Sequence, residues 1–122
     1  MRTQLLPFPP SVNNYRLPIR MGKSMRLITS PAGHQFAAAA LACIDPQEPM
    51  LGRLQVSIML HYGTRRQLDL DNFVKPLLDV CTAGKVWLDD SQIDKLTVHR
   101  GEVRKGGECL VVVETLGETS DA

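Results

Sequence analysis

Leu54-Gln55-Val56-Ser57-Ile58-Met59-Leu60 sets Leu54, Val56, Ile58 and Leu60 at alternate positions against Gln55, Ser57 and Met59. A period of two puts those four side chains on one side of an extended chain, which predicts a β-strand with one buried face. Downstream, Phe73, Leu77, Val80 and Cys81 recur at spacings of three and four, with Asp71 or Asn72 placed to cap the start and Gly84 just past the end. That is the period of a helix. Pro76 lacks an N–H, so the helix is expected to be irregular in its first turn or to begin nearer Lys75. Upstream, Ser30 offers an N-cap hydroxyl, Pro31 suits the first helical turn, and an Ala- and Leu-rich run reaches Ile44 before Asp45-Pro46, so a second helix is predicted over 31–44.

Towards the ends, residues 3–8 form a short apolar strand candidate stopped by Pro9-Pro10, and residues 11–29 read as one long loop. Residues 95–103 and 109–115 read as two strands joined by a turn around Gly106-Gly107. The expected order is β-α-β-α-β-β. It describes an α+β domain, a mixed β-sheet packed with helices, over residues 1–116, with a polar tail at 117–122. A chain of 122 residues that is 43% hydrophobic supports one core and not two domains.

Composition narrows the function classes. No stretch approaches the roughly 20 apolar residues of a membrane helix, and the start, MRTQLLPFPPS, has neither the apolar run nor the cleavage site of a signal peptide. A cytoplasmic protein that does not enter membranes is expected. Cys43, Cys81 and Cys109 are odd in number and lack CxxC spacing, which suits reduced, mostly buried thiols better than disulfides or zinc. His34, His61 and His99 have no metal-ligand spacing and read as structural or surface residues. The charge is unevenly spread: residues 1–44 hold Arg2, Arg16, Arg20, Lys23 and Arg26 and no acid, a charge of +5, while the remainder carries −4. Such asymmetry fits a phosphate-binding arm beside an acidic centre, and fits an ordinary solvated loop equally well.

The chemistry-bearing stretch is Leu68-Asp69-Leu70-Asp71-Asn72-Phe73-Val74-Lys75, with Val86-Trp87-Leu88-Asp89-Asp90-Ser91-Gln92-Ile93 after it. In an extended chain Asp69 and Asp71 would face one way, a helix beginning there would stack Lys75 one turn above Asp71, and the return of the chain after Gly84 would let Asp89-Asp90 add a third carboxylate. Three carboxylates suit magnesium, which takes oxygen ligands and leaves positions to water and phosphate. A cation is also the natural way to reconcile an acidic centre with a phosphodiester. The chemistry implied is hydrolytic phosphoryl transfer, with lysine adding positive charge at the transition state. The same residues fit a plainer account, with Asp71 an N-cap, Asp69 a strand end, Asp89-Asp90 a turn and Lys75 a solvated ion-pair partner.

An ordered series of motifs resembles the RusA Holliday-junction resolvases, many of them prophage-encoded. The series is Phe8-Pro9-Pro10-Ser11 with Asn13-Asn14, the DLDN segment with Lys75, Leu77-Leu78-Asp79, Trp87-Leu88-Asp89-Asp90-Ser91-Gln92 and Lys105-Gly106-Gly107, spanning about residues 5–115. The resemblance implies a homodimer that binds four-way DNA junctions and introduces paired nicks with Mg2+. It implies metal binding by Asp69, Asp71 and Asp90, a catalytic role for these and for Lys75, and a lesser claim for Asp89. Where relatives can carry a longer basic run before DLDN, this chain has Arg65-Arg66-Gln67. DNA contacts are expected from Arg16, Arg20, Lys23, Arg65 and Arg66. Competing readings are a non-catalytic binder of branched DNA, a phage nuclease for other branched structures, and a hydrolase of small phosphoesters, for which the basic segment would be superfluous.

Overall fold

The computed structural model describes residues 1–66 and 68–116. Strand β1 (Arg2–Pro7) leads through the single-turn helix α1 (Val12–Tyr15) into the hairpin β2 (Arg16–Met21) and β3 (Ser24–Thr29). Helix α2 (Pro31–Ala42), strand β4 (Leu54–His61), a 3-10 turn (Leu70–Phe73), helix α3 (Val74–Ala83), a second 3-10 turn (Asp90–Gln92), strand β5 (Ile93–Arg100) and strand β6 (Glu108–Thr115) follow. The main sheet runs β1-β6-β4-β5, with β5 parallel to β4 and the other pairs antiparallel. It is the mixed sheet of an α+β fold. The tail expected at 117–122 lies outside the described residues.

The alternation in β4 works as its period requires. Leu54, Val56, Ile58 and Leu60 are buried, and Val113, Val111 and Cys109 stand opposite the last three on β6 and are buried with them. Helix α3 lays Leu77, Val80 and Cys81 on this face, α2 adds Phe36 and Ala40, and Trp87 fills the space between. Ser30 caps α2 as its position predicts, its hydroxyl accepting the Gly33 N–H at 2.9 Å. Pro76 falls in the first turn of α3, where the missing N–H has little to lose. Gly84 is needed for space rather than for rotation: a Cβ there would meet Ile44 Cδ1 at 2.8 Å, and Lys85 takes the left-handed turn instead, at φ 64°.

Two expectations are corrected. Residues 11–29 are a helical turn and a two-stranded ribbon, not a loop. The ribbon turns on Gly22 at φ +65°, which takes the first position of a two-residue connection, as in hairpins with glycine-led turns. It leaves Leu17, Met21, Met25, Leu27 and Ile28 exposed, so neither face has the one-sided burial that makes a strand visible in sequence. Secondly, β5 and β6 are not neighbours. Strand β4 lies between them, and the segment from Gly101 to Gly107 crosses its end, with the Gly101 N–H donating to Leu60 O at 2.9 Å and the Arg104 N–H to Tyr62 O at 3.0 Å. The cysteines are free thiols and mostly buried, as expected: Cys81 and Cys109 are buried and Cys43 is exposed.

Candidate active site

The segment expected to be extended through Asp69 and Asp71 winds instead into the 3-10 turn, with Asp69 as its extended N-cap. Three residues per turn put Leu70 and Phe73 on one side, where Leu70 is half-buried and Phe73 is buried at ring-centroid distances of 5.1 Å from Phe8 and 5.6 Å from Tyr62. Asp69 and Asp71 are left exposed, and among the described residues neither side chain has a hydrogen bond or ion pair. The premise that residues two apart share a face therefore does not hold here. Asp71 is not the cap of α3 either, since that helix begins after Phe73.

Asp89 and Asp90 divide two tasks between them. Asp89 caps the second 3-10 turn, accepting the Ser91 N–H at 2.9 Å, while Gln92 Oε1 accepts the N–H groups of Leu88 at 2.8 Å and Asp89 at 3.0 Å. Hydrogen bonds from Ser91, side chain first and backbone second, hold the Asp89 carboxyl below its ordinary value. Asp90 turns the other way, onto α3. Its Oδ1 lies 2.5 Å from the Thr82 hydroxyl and 3.1 Å from the Trp87 indole nitrogen, and that N–H also points to Thr82 Oγ1 at 2.7 Å. A carboxylate with one oxygen bound to two donors has one orientation and one oxygen left for other partners.

Lys75 meets that remaining oxygen. Its ammonium is 3.5 Å from Asp90 Oδ2 and 2.8 Å from Asp79 Oδ1, and Asp79 Oδ2 is 3.6 Å from Arg16. The hydrogen bond to Asp79 is the leading cause that raises the Lys75 pKa, opposed by partial burial and aided by the Asp79 and Asp90 charges. Lys75 is therefore a fixed cation at neutral pH rather than a proton acceptor. It pairs forward along the helix to Asp79, not back to Asp71 as its spacing had suggested. Asp79 is the residue that spacing arguments about DLDN overlooked, and its signal was there as an i,i+4 partner of Lys75.

Among the described residues no three His, Cys, Asp or Glu side chains come together closely enough to hold a metal ion. The donor chemistry nonetheless fits magnesium: two exposed carboxylates without protein partners and a third oriented by two donors supply the oxygen ligands this ion takes. Burial pushes the Cys81 and Cys109 thiols up to about 12, so neither is a nucleophile here. His61 is buried with Nδ1 2.9 Å from Glu102 O, a structural role.

The five basic residues expected to meet DNA are all exposed but do not form one patch by sequence position. Arg16 reaches the site through Asp79, Arg20 and Lys23 lie out along the ribbon and its turn, and Arg65 and Arg66 sit on the approach to the acidic turn. Arg100, unremarked in the sequence, joins Arg65 and Arg66 in lining a cleft.

Over 115 residues, covering 92% of each chain, the sequence is 29% identical to the crossover junction endodeoxyribonuclease rusA of Enterobacteria phage HK97. The sequence model of the family described as endodeoxyribonuclease RusA matches residues 7–114, a span that contains the acidic turn, Lys75, Asp79, the Trp87-Asp90 contact and the ribbon. The chain belongs to the RusA endodeoxyribonuclease family.

Proposed function

We propose that this protein is a magnesium-dependent endodeoxyribonuclease that binds four-way DNA junctions as a homodimer and cuts them by paired, symmetric nicks. The observation that carries this reading is the Lys75–Asp90 contact, in which a permanent cation and an oriented carboxylate oxygen meet in a chain of this nuclease family. Asp69, Asp71 and Asp90 would hold the metal. Magnesium, when bound, supplies Lewis-acid activation of the attacking water and charge compensation at the phosphate.

The chain's own residues supply the remainder. Thr82 and Trp87 fix the Asp90 carboxylate, so its free oxygen is set before substrate arrives. Asp79 holds the Lys75 ammonium over the site, where it stabilises negative charge growing on the phosphate. Arg16, Arg20, Lys23, Arg65 and Arg66 neutralise DNA phosphates and bring the strand to the acidic turn. A junction has two-fold symmetry, and two sites related by the same symmetry reach opposite strands in one encounter. Among the described residues no helix is long and apolar enough to cross a membrane.

Titration calorimetry of Mg2+ into wild type and Asp71→Asn, with light scattering on the same samples, tests the metal and dimer parts together. Saturable binding to wild type that weakens in the variant, at a mass of two chains, supports the reading. Equal heats for both proteins would remove Asp71 from the metal site, and a single-chain mass at working concentration would remove the dimer.

A further inference from the structure

Past the end of β4, the chain at 62–66 and the crossing segment at 101–103 form the walls of an open cleft of about 450 Å³. Its lining includes Tyr62, Arg65, Arg66, Arg100 and Val103 and, among the described residues, no carboxylate. Three guanidinium groups around one concavity repel one another, and an anion seated there relieves the repulsion. A guanidinium fork matches the oxygens of a phosphodiester in bidentate fashion, so the cleft suits the sugar-phosphate chain rather than a base edge.

Arg100 is held more firmly than a surface arginine. Its guanidinium carbon lies 4.6 Å from the centroid of the Tyr62 ring, and its Nη2 donates to Leu68 O at 2.6 Å. The Tyr62 hydroxyl approaches the carbonyl oxygens of Leu68 and Asp69, each at 3.4 Å. The cleft and the acidic turn thus share a backbone carbonyl, one residue before Asp69. Five N–H groups on the fork leave donors for a ligand after Leu68 is served. Val103, at 46% exposed, borders the opening without belonging to the core.

We propose that this cleft is a subsite for a backbone phosphate of the DNA strand entering the acidic turn, bound by Arg65, Arg66 and Arg100, with Arg100 as the positioning residue that registers the strand against Asp69. The inference rests on the DNA-binding part of the function proposed above. It assigns Arg100 two separable actions, charge on the phosphate and a hydrogen bond to the turn.

The test is fluorescence anisotropy of a labelled four-way junction in EDTA across a salt series, for wild type, Arg100→Ala, Arg100→Lys and Val103→Glu, followed by single-turnover cleavage in Mg2+ at saturating protein. Arg100→Ala is expected to weaken binding and to lower the log–log salt slope by about 1. Val103→Glu, which places an anion at the cleft mouth and leaves the core untouched, is expected to weaken binding at unchanged melting temperature. Arg100→Lys is expected to keep the slope and lose cleavage rate, because lysine carries the charge without the planar fork. Wild-type affinity and slope in both Arg100→Ala and Val103→Glu would overturn the subsite, as would a cleavage defect in Arg100→Ala with binding unchanged. Junction binding that depends on Arg100 in a protein that never cuts would remove the nuclease reading and leave the subsite standing; wild type that binds no DNA would overturn both.

Discussion

The Thr82 hydroxyl and Asp90 Oδ1 lie 2.5 Å apart, and this contact determines which oxygen of Asp90 is free to face Lys75. Thr82→Val keeps the shape of the side chain and deletes the donor. Groups that orient a metal ligand typically carry about 10–100-fold in metal affinity or activity. The magnesium concentration for half-maximal cleavage should rise within that range, with little change in melting temperature. An unaltered magnesium dependence would show that Trp87 alone orients the carboxylate.

Lys75 should act by its charge. Lys75→Ala is expected to lower the cleavage rate by about 10²–10³, the usual cost of removing one donor aimed at a transition-state oxyanion, while junction binding in EDTA changes little. The Lys75 pKa is raised, so its contribution is fully present below the ordinary lysine value of 10.5 and is lost only as pH rises through the higher folded-state value. A pH–rate profile should therefore show no inflection from Lys75 in the neutral range. A deprotonation near neutrality that disappears in Lys75→Ala would contradict this assignment.

The ribbon makes a separate prediction, because β2 and β3 pair with each other and not with the main sheet. Arg20→Ala and Lys23→Ala, both on exposed positions, should each lower the salt slope of junction binding by about 1 and leave the melting temperature in place. Slopes equal to wild type would show that the arm's charges face away from DNA.

Thiol labelling checks the packing around the site. In the native protein a small alkylating reagent at mildly alkaline pH should modify Cys43 alone, since Cys81 and Cys109 are buried and their thiols are held up to about 12. All three should react in denaturant. Rapid native labelling of Cys81, which lies on α3 against the core, would mean that the helix carrying Lys75 and Thr82 opens readily.

What the sequence disclosed follows from where burial is one-sided. The run from Leu54 to Leu60 and the spacing of Leu77, Val80 and Cys81 each present a single apolar face, and both elements stand where their periods put them. The ribbon was hidden because Leu17 and Leu27 fall on opposite faces and both are exposed, leaving no period to read. The neighbour relation of β4 and β5 was hidden for another reason: Lys95 to Arg100 fits a parallel or an antiparallel partner equally, and its parallel pairing with β4 joins segments far apart in sequence. At the site, Asp69, Asp71, Lys75 and Asp90 were named by motif, but their orientations were not. Asp71 is turned by Leu70 and Phe73 packing three residues apart, and Lys75 is drawn to Asp79, both of which are decided by the tertiary surroundings. Arg100 was invisible because its value comes from Tyr62 and Leu68, distant in sequence.

The most direct measurement is cleavage of a labelled four-way junction and its matched linear duplex by wild type and Asp71→Asn, with Mg2+ or EDTA. The account predicts paired nicks on the junction and not the duplex, dependent on Mg2+ and absent in the variant, while the variant still binds the junction. Junction binding without cleavage by wild type under any divalent metal would contradict the nuclease assignment, and equal cutting of junction and duplex would contradict the substrate.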